Sequence, residues 1–289
     1  MNAALWGAAS AIAFGVADFL GRFTGRALGP RNAMLGLMLV GAVALSLYGV
    51  GAGLAVAWAP ATLPVLLAAG ISAMAAPLLF YRSLTQGPIS LVAPIAAAYP
   101  ALVVPVEVAF GARPEPLAWA AMAATLLGTV VVARTAGEDP DARVAADPRN
   151  RRRAIVTAVA AGCLFAVALL TGRQAVAAYG EVETLWFGRV IGLLTLLAVL
   201  VATRHRPAVP VRWWPVVAVQ GLVEASAYLF FYVGSQGEGG PAAAVASSAF
   251  MVVGVLLGRV FLRERVSPGC WTGILLVFGG VATLSGQPS

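Results

Sequence analysis

The sequence predicts an all-α integral membrane protein with ten transmembrane helices, arranged as two inverted-topology five-helix repeats around a central cavity. The first observation is composition: 60% of the 289 residues are hydrophobic and 11% are charged, against roughly 25% charged residues in ordinary soluble domains. The second is a series of ten apolar runs, and the third is a likeness between the two halves of the chain. Together they exclude a water-soluble globular protein.

The apolar runs are separated by short polar turns, and each approaches the roughly 20 residues needed to cross the hydrocarbon of a bilayer. Windows of about 19 residues place them near residues 3–19, 33–58, 63–84, 89–110, 116–133, 154–171, 184–201, 213–234, 241–261 and 268–284. The segment between the fifth and sixth runs is charged and contains prolines. We therefore interpret residues 1–136 as the first five-helix repeat, 137–153 as a charged cytoplasmic linker and 154–289 as the second repeat.

The two halves align without gaps at an offset of 151 residues. The offset pairs Phe14 with Phe165, Gly21-Arg22 with Gly172-Arg173, Gly70 with Gly221, Phe80-Tyr81 with Phe231-Tyr232, and Gly128 with Gly279. Self-similarity at a fixed offset indicates a duplicated unit. Because five is an odd number, the second unit enters the membrane from the opposite face, which gives an inverted repeat of the kind found in transporters.

The basic residues predict the orientation of the chain in the membrane. All 19 are arginines, and the turns after the odd-numbered runs contain fifteen of them, whereas the turns on the opposite side contain two. The positive-inside rule places the fifteen in the cytoplasm and both termini outside it, for a multi-pass protein of the inner (cytoplasmic) membrane. The arginines that raise the calculated pI to about 10.2 are thus explained by the orientation of the chain in the membrane, and no nucleic-acid partner is expected.

Two segments carry a family resemblance. The residues YRSLTQGPISLVAPIAAAYP, from Tyr81 to Pro100, and FLRERVSPGCWTGILLVFGGV, from Phe261 to Val281, are similar to the EamA-type members of the drug/metabolite transporter (DMT) superfamily. The resemblance covers nearly the whole chain. It implies a basket-like bundle whose cavity is lined by spans one to four and six to nine, with spans five and ten peripheral. Most members are thought to keep both termini in the cytoplasm, the reverse of what the arginines predict.

Glu224 is the leading candidate for a functional residue. It lies near the centre of span eight, and an acidic side chain inside a bilayer costs several kcal/mol, about 2.5–3.5 on insertion scales, so it indicates function by default. Gln220, Tyr228 and Phe231 follow the same helical face. We expect Glu224 to exchange a proton or to bind a cationic substrate group. The alternative is a structural ion pair with Arg189 of span seven.

Further substrate-binding candidates share a position inside the bilayer. Arg189 is expected to hold a carboxylate while Trp186, three residues away, stacks on the substrate; snorkelling of Arg189 to the interface is the alternative. Span four holds several prolines and must be kinked, which makes its Tyr99 a lining candidate. The remaining candidates are Tyr81, Phe14, Phe165 and Ser247, for which ordinary core packing is the alternative.

Three charged residues near the ends of spans are candidates for gating. Asp18 and Arg22 form an i, i+4 pair at the end of span one, and Arg173 is the inverted counterpart of Arg22 at the end of span six. Symmetric arginines at opposite mouths suit alternating gates, while anchoring at the interface is the alternative. Glu107, near the end of span four, is expected to lie on a solvated rim.

These features favour a secondary transporter over an enzyme. No nucleotide-binding G-x(4)-G-K-[ST] motif is present, and the single histidine, His205, belongs to no catalytic or metal-ligating cluster. We expect no cofactor and no metal, and a monomer or weak oligomer in the lipid bilayer. The resemblance implies export of amino acids or related metabolites, with cationic drug-like compounds second. A lipid-carrier flippase, an integral membrane enzyme and a purely structural membrane protein are the alternatives of other classes.

Overall fold

A computed structural model of the chain describes residues 2–53, 59–84, 86, 92, 95–135, 148–236, 239–261 and 267–285. Over these residues the secondary structure is helical, and no strand occurs among them. Eleven α-helices with both ends among the described residues follow one another: α1 (Ala3–Leu28), α2 (Pro30–Ala52), α3 (Leu63–Leu84), α4 (Pro100–Ala109), α5 (Pro116–Thr135), α6 (Pro148–Tyr179), α7 (Glu181–Ala202), α8 (Trp214–Gly234), α9 (Gly240–Ser247), α10 (Phe250–Phe261) and α11 (Pro268–Ser285).

The apolar stretches agree with ten predicted spans. Seven described stretches are long and apolar enough to cross a membrane, and three shorter apolar helices lie at Ile95–Ala109, Pro116–Val132 and Pro268–Leu284. Span nine is counted once, because α9 and α10 together form the stretch Gly240–Phe261. The all-helical membrane fold expected from composition is confirmed.

Some helix ends differ from the hydropathy windows. Helix α1 continues to Leu28 and α6 to Tyr179, past the predicted ends at 19 and 171, because a charged residue ends an apolar window without ending a helix. What ends both helices is a glycine: Gly29 has φ 78° and Gly180 has φ 88°, a region that side chains with a Cβ rarely adopt. Helix α6 begins at Pro148, inside the segment interpreted as a linker, and residues 136–147 lie outside the described part.

The two halves pack on each other in equivalent ways. Helix α3 packs along α6 as α1 packs along α8, and α3 contacts α7 as α2 contacts α8. Individual contacts repeat at the 151-residue offset: a Cβ on Gly70 would lie 2.7 Å from Ile191 Cβ, and one on Gly221 would lie 3.1 Å from Val40 Cβ. Exchange of the halves therefore maps the interface onto itself, as a pseudo-twofold axis requires.

Spans five and ten form a helix pair of their own. Helices α5 and α11 pack mainly against each other, and glycines permit the close approach. A Cβ on Gly128 would lie 2.7 Å from the Gly273 carbonyl oxygen, and a Cβ on Gly273 would lie 2.8 Å from that of Gly128. This pair leaves the interface of α1, α2, α3, α7 and α8 to hold the polar side chains described below.

Both span four and span nine are interrupted. Residues 98–99 and 248–249 form turns rather than helix, and the backbone bonds from Ala101 N to Ala98 O and from Val252 N to Ala249 O, each 2.9 Å, repeat at the same offset. The prolines of span four predict its interruption. Span nine has no proline within it after Pro241, so its matching break follows from the repeat and not from local sequence.

Candidate functional site

A buried ion pair joins α7 and α8. Arg189 Nη1 donates to Glu224 Oε2 at 2.6 Å, and the two side chains are 3% and 6% exposed. Both predicted residues therefore lie together and inside the protein, and snorkelling of Arg189 does not occur in this structure. The geometry is the Arg189–Glu224 pair that the sequence left open as an alternative.

Arg189 reaches this position across the interface between the halves. Its Cζ lies 5.3 Å from the centroid of the Tyr228 ring, within the range of a cation–π contact. Its Nη1 lies 3.9 Å from Met38 Sδ on α2. A Cβ on Gly41 would come within 3.0 Å of Arg189 Cδ, so the absence of a side chain at Gly41 makes room for the arginine stem.

The ion pair leaves hydrogen-bonding capacity unused. Among the described residues, Arg189 Nε, Arg189 Nη2 and the Tyr228 hydroxyl are buried and have no hydrogen-bond partner. Buried polar groups nearly always find partners, and leaving a donor unsatisfied costs about 1–3 kcal/mol. A guanidinium with two unpartnered nitrogens, Nε and Nη2, beside a tyrosine hydroxyl is suited to a carboxylate, which Arg binds through two parallel hydrogen bonds.

A second polar chain adjoins the ion pair one turn along α8. Thr24 Oγ1 donates to Gln220 Oε1 at 2.7 Å, and Gln220 Nε2 donates to the Tyr81 hydroxyl at 3.4 Å. The Tyr81 hydroxyl in turn donates to Asp18 Oδ1 at 3.4 Å. The chain connects α1, α3 and α8, and it meets α8 at Gln220, one turn before Glu224 on the same buried face.

The predicted aromatic residues form two groups. Phe14 meets Tyr228 edge-on with ring centroids 5.0 Å apart, beside the ion pair, and Phe231 packs on Tyr232 at 6.1 Å. Phe165 instead lies 6.2 Å from Tyr99. The structure thus brings Phe14 to the ion pair, while Phe165, the residue matching it in the second half, packs with aromatic residues of spans three and four.

Trp186 contacts α2 and its neighbour Phe187. Its Nε1 donates to Ser46 Oγ at 2.8 Å, and its ring packs edge-on against Phe187 with centroids 4.9 Å apart. The ring over the guanidinium is Tyr228. Residues three apart on a helix lie on only approximately the same face. The position of the indole depends on side chains of α2, which cannot be inferred from the sequence pattern of α7.

Tyr99 and Ser247 make contacts away from the ion pair. The Tyr99 hydroxyl donates to the Ala244 carbonyl oxygen at 3.2 Å, and Ser247 Oγ lies 3.1 Å from Ser10 Oγ. Ser10 Oγ also donates to the Ala227 carbonyl oxygen at 2.8 Å. These bonds connect the interrupted spans four and nine with α1 and α8, so both residues join helices whose relative positions shape the site.

Arg173 and Glu107 form an ion pair between α6 and α4. Gly240, at the beginning of α9, packs against both, since a Cβ there would lie 2.9 Å from Glu107 Oε2. The expectation that Glu107 lies on a solvated rim is wrong: the residue is 7% exposed. The expectation failed because hydropathy indicates only how deep a residue lies in the membrane. It does not show that Arg173, on another helix, pairs with Glu107. Arg22, the counterpart of Arg173, lies partly buried one turn beyond Asp18.

Sequence reasoning missed Met38 and Gly41, the α2 residues that contact Arg189. A signal existed in the repeat, because the 151-residue offset pairs Met38 with Arg189 and Gly41 with Gly192. Residues equivalent in an inverted repeat face each other where they lie near the axis. The residue at the equivalent position in the other half is therefore a candidate neighbour of a charged residue that is buried in the membrane.

Comparison with known proteins decides the family. The family model described as the EamA-like transporter family matches residues 1–134 and 152–286. The chain belongs to the EamA-like transporter family. This EamA-like transporter is accordingly a multi-span membrane protein of the DMT superfamily, and the resemblance seen in the sequence is confirmed. Members of the family are transporters and not enzymes.

A solved structure shares the fold of this EamA-like transporter. A crystal structure described only as that of a protein matches with a TM-score of 0.77 over 98% of each chain, at 21% sequence identity. At that identity the likeness shows the fold alone. No curated protein matches this chain.

Proposed function

We propose that this EamA-like transporter moves small organic solutes such as amino acids or related metabolites across the inner membrane by alternating access, and that it acts as an exporter. The observation that carries the proposal is the buried Arg189–Glu224 pair with unused donors on Arg189 and Tyr228. Export and the choice of membrane rest on the family resemblance and on the arginine distribution. Energy comes from gradients of the solute or of protons.

A zwitterionic solute suits this pair. Its carboxylate binds Arg189 and the Tyr228 hydroxyl, and its ammonium group binds Glu224, so the solute replaces one buried ion pair by two. Removing a single partner from a buried pair is costly, about 3–5 kcal/mol. A zwitterion avoids this cost, because it supplies a new partner to Arg189 and to Glu224 as it separates the two residues. The Tyr228 ring and Phe14 lie beside the apolar part of the solute.

The two mouths of the pathway are closed by different contacts. The Arg173–Glu107 pair joins α6 to α4 at one end, and the Tyr81–Asp18 hydrogen bond joins α3 to α1 at the other. In an inverted repeat, alternating access exchanges the conformations of the halves around a fixed site. We assign gating to these contacts, with Arg22 at the mouth opposite Arg173.

A cationic compound is the second candidate substrate. The favouring observation is the second acid, Asp18, whose hydrogen-bonded chain through Tyr81 meets α8 at Gln220, one turn from Glu224. A lipid-carrier flippase and an integral membrane enzyme are the alternatives of another class, and no contact among the described residues favours either.

Counterflow in liposomes tests the proposed function. Purified protein is reconstituted, loaded with an unlabelled mixture of L-amino acids, and assayed for uptake of the radiolabelled mixture. We expect counterflow with the wild-type protein and at least tenfold less with Glu224→Gln. The control is Glu115→Gln, which changes an exposed acid. Absence of wild-type counterflow with amino acids, other metabolites and quaternary amines contradicts transport of small solutes, and an unchanged Glu224→Gln rate contradicts the assigned site.

A further inference from the structure

Glu224 occupies only one nitrogen of the Arg189 guanidinium. Arg189 Nη1 donates to Glu224 Oε2 at 2.6 Å. The other two nitrogens, Nε and Nη2, are buried and have no hydrogen-bond partner among the described residues. These two nitrogens lie on the same edge of the planar group, so together they can donate two parallel hydrogen bonds to one carboxylate. One edge of Arg189 is therefore unused while the ion pair is intact.

A glycine of α2 leaves space beside this edge. A Cβ on Gly41 would lie 3.2 Å from Arg189 Nε, closer than ordinary van der Waals contact, so any side chain there would crowd the nitrogen. The Tyr228 ring packs against the guanidinium, with Arg189 Cζ 5.3 Å from its centroid, and its buried hydroxyl is also without a partner. Arg189 thus has no side chain of Gly41 beside Nε and a neighbouring residue with an unused donor.

The acid of the pair differs from the arginine in this respect. Glu224 Oε2 is held by Arg189 Nη1, and neither oxygen of Glu224 is among the buried atoms without a partner in the described part of the chain. An ammonium group must therefore compete with Arg189 for Glu224 Oε2, whereas a carboxylate meets donors that no other described group occupies. Separating a buried pair before a new partner has arrived is costly, so the two ends of a zwitterion are not equivalent at this site.

We propose that the solute binds in two steps, and that its carboxylate first binds the Nε–Nη2 edge of Arg189 while Nη1 remains bonded to Glu224. In the second step the ammonium group of the solute replaces Nη1 at Glu224, and the pair separates. The inference rests on the proposed function, because it describes how a zwitterion enters that same site. Compounds with a carboxylate and no ammonium group complete the first step only, so they bind and block transport without being transported.

Thermal unfolding of the detergent-solubilised protein tests the first step without transport, because a compound that binds the folded protein raises its melting temperature. One set of probes is the L-2-hydroxy acids that match the neutral amino acids, in which a hydroxyl replaces the ammonium group. The other set is the L-amino acid amides, which keep the ammonium group and lack the carboxylate. The hydroxy acids should stabilise the wild-type protein at concentrations about tenfold or more below those of the amides. Equal or stronger stabilisation by the amides, or none by any hydroxy acid, overturns the proposal.

Arg189→Lys separates the shape of the guanidinium from its charge. A lysine ammonium can pair with Glu224 but has no second edge, and the two residues are not equivalent where two parallel bonds are made. We expect this variant to bind the hydroxy acids about tenfold or more weakly. Arg113→Lys, at an exposed arginine, is the matched control and should bind them as the wild type does. Unchanged binding in a folded Arg189→Lys protein overturns the assignment of the edge.

Glu224→Gln separates binding of the carboxylate from transport. The glutamine keeps an oxygen that can accept from Arg189 Nη1, and it removes the charge that the ammonium group of the solute needs. Binding of the hydroxy acids should therefore be retained in the variant that is expected to lose counterflow. Loss of this binding in a folded Glu224→Gln protein contradicts a carboxylate site that is available before the pair separates.

Counterflow in liposomes tests the second step. The hydroxy acids should inhibit amino-acid counterflow by the wild-type protein and, when radiolabelled, should show severalfold less counterflow themselves. Counterflow of the hydroxy acids at the amino-acid rate overturns the need for an ammonium group to separate the pair. If no amino acid shows counterflow while the binding results hold, the proposed substrate fails and the carboxylate edge stands. If amino acids show counterflow while the amides bind better than the hydroxy acids, the proposed function stands and the order of the steps fails.

Discussion

Arg189 and Met38 occupy equivalent positions in the two halves and contact each other, with Arg189 Nη1 3.9 Å from Met38 Sδ. Each covers a glycine of the opposite half: a Cβ on Gly41 would lie 3.0 Å from Arg189 Cδ, and one on Gly192 would lie 3.0 Å from Met38 Sδ. A symmetric interface therefore holds an asymmetric charge. The pairing of Arg189 with Glu224 has no counterpart in the first half, where Met38 and Ala73 stand at the matching positions.

Removing one member of the ion pair should destabilise the protein and removing both should not. We expect Glu224→Met or Arg189→Met to lower the free energy of unfolding by about 3–5 kcal/mol, because each leaves a buried charge, and the double variant to recover most of this loss. Thermal unfolding and counterflow are measured on all three. Recovery of stability without counterflow is the expected result for the double variant; recovered counterflow shows that the pair serves the fold alone.

Substitution of two equivalent glycines, Gly41 and Gly192, distinguishes an effect on the position of Arg189 from a general effect on packing. Gly41→Ala and Gly192→Ala each introduce a methyl group into a close contact between the halves, and overpacking of this kind costs about 1–3 kcal/mol. We expect similar losses of thermal stability. Only Gly41→Ala displaces the arginine, so only this variant should lower amino-acid counterflow severalfold. Equal effects on counterflow argue against a dependence on the position of Arg189.

The Arg173–Glu107 pair is expected to hold one mouth closed. Glu107→Gln removes the charge that holds Arg173 across α4 and α6, which should change the counterflow rate at least twofold. The exchanged variant Arg173→Glu with Glu107→Arg restores the pair in reverse and should recover the rate. Arg113→Gln, at an exposed arginine of the same predicted side, is the control. Failure of the exchanged variant in a folded protein shows that the contact is not an interchangeable ion pair.

The arginine distribution predicts the orientation in the membrane. A tag at the C-terminus should react with an impermeant reagent applied to intact spheroplasts, because fifteen arginines on the opposite side favour the cytoplasm for that side. A second tag inserted within residues 137–147 should react only after the membrane is opened. The reverse pattern places the termini in the cytoplasm, in agreement with the usual orientation of the family.

The fold was largely predictable because hydropathy and the repeat depend on the order of residues along the chain, and not on which helices are in contact. Ten apolar stretches follow from hydropathy, and the 151-residue offset relates pairs of contacts that the structure shows, such as Gly70 on Ile191 and Gly221 on Val40. The helix ends were less predictable: the first window ends at residue 19, while α1 continues to Leu28 and ends there because Gly29, which follows, has a positive φ.

The candidate site was predicted in part. Gln220, Glu224, Tyr228 and Phe231 share one buried face of α8, as their spacing indicates, and Glu224 meets Arg189. The partners of Trp186 and Glu107 were not predictable, because Ser46 and Arg173 lie on helices distant in sequence.

By itself the sequence determined that the chain is an all-helical membrane protein of apolar stretches, and it predicted the two halves and the acid of span eight as a candidate site. These properties depend on the free energy of transfer of each residue, which needs no knowledge of neighbours. Only the tertiary structure decided which face of each helix packs against which neighbouring helix. That choice left Glu224 balanced by Arg189 and Asp18 facing Tyr81, because rotation of a helix about its axis is set by packing and hydrogen bonding between helices.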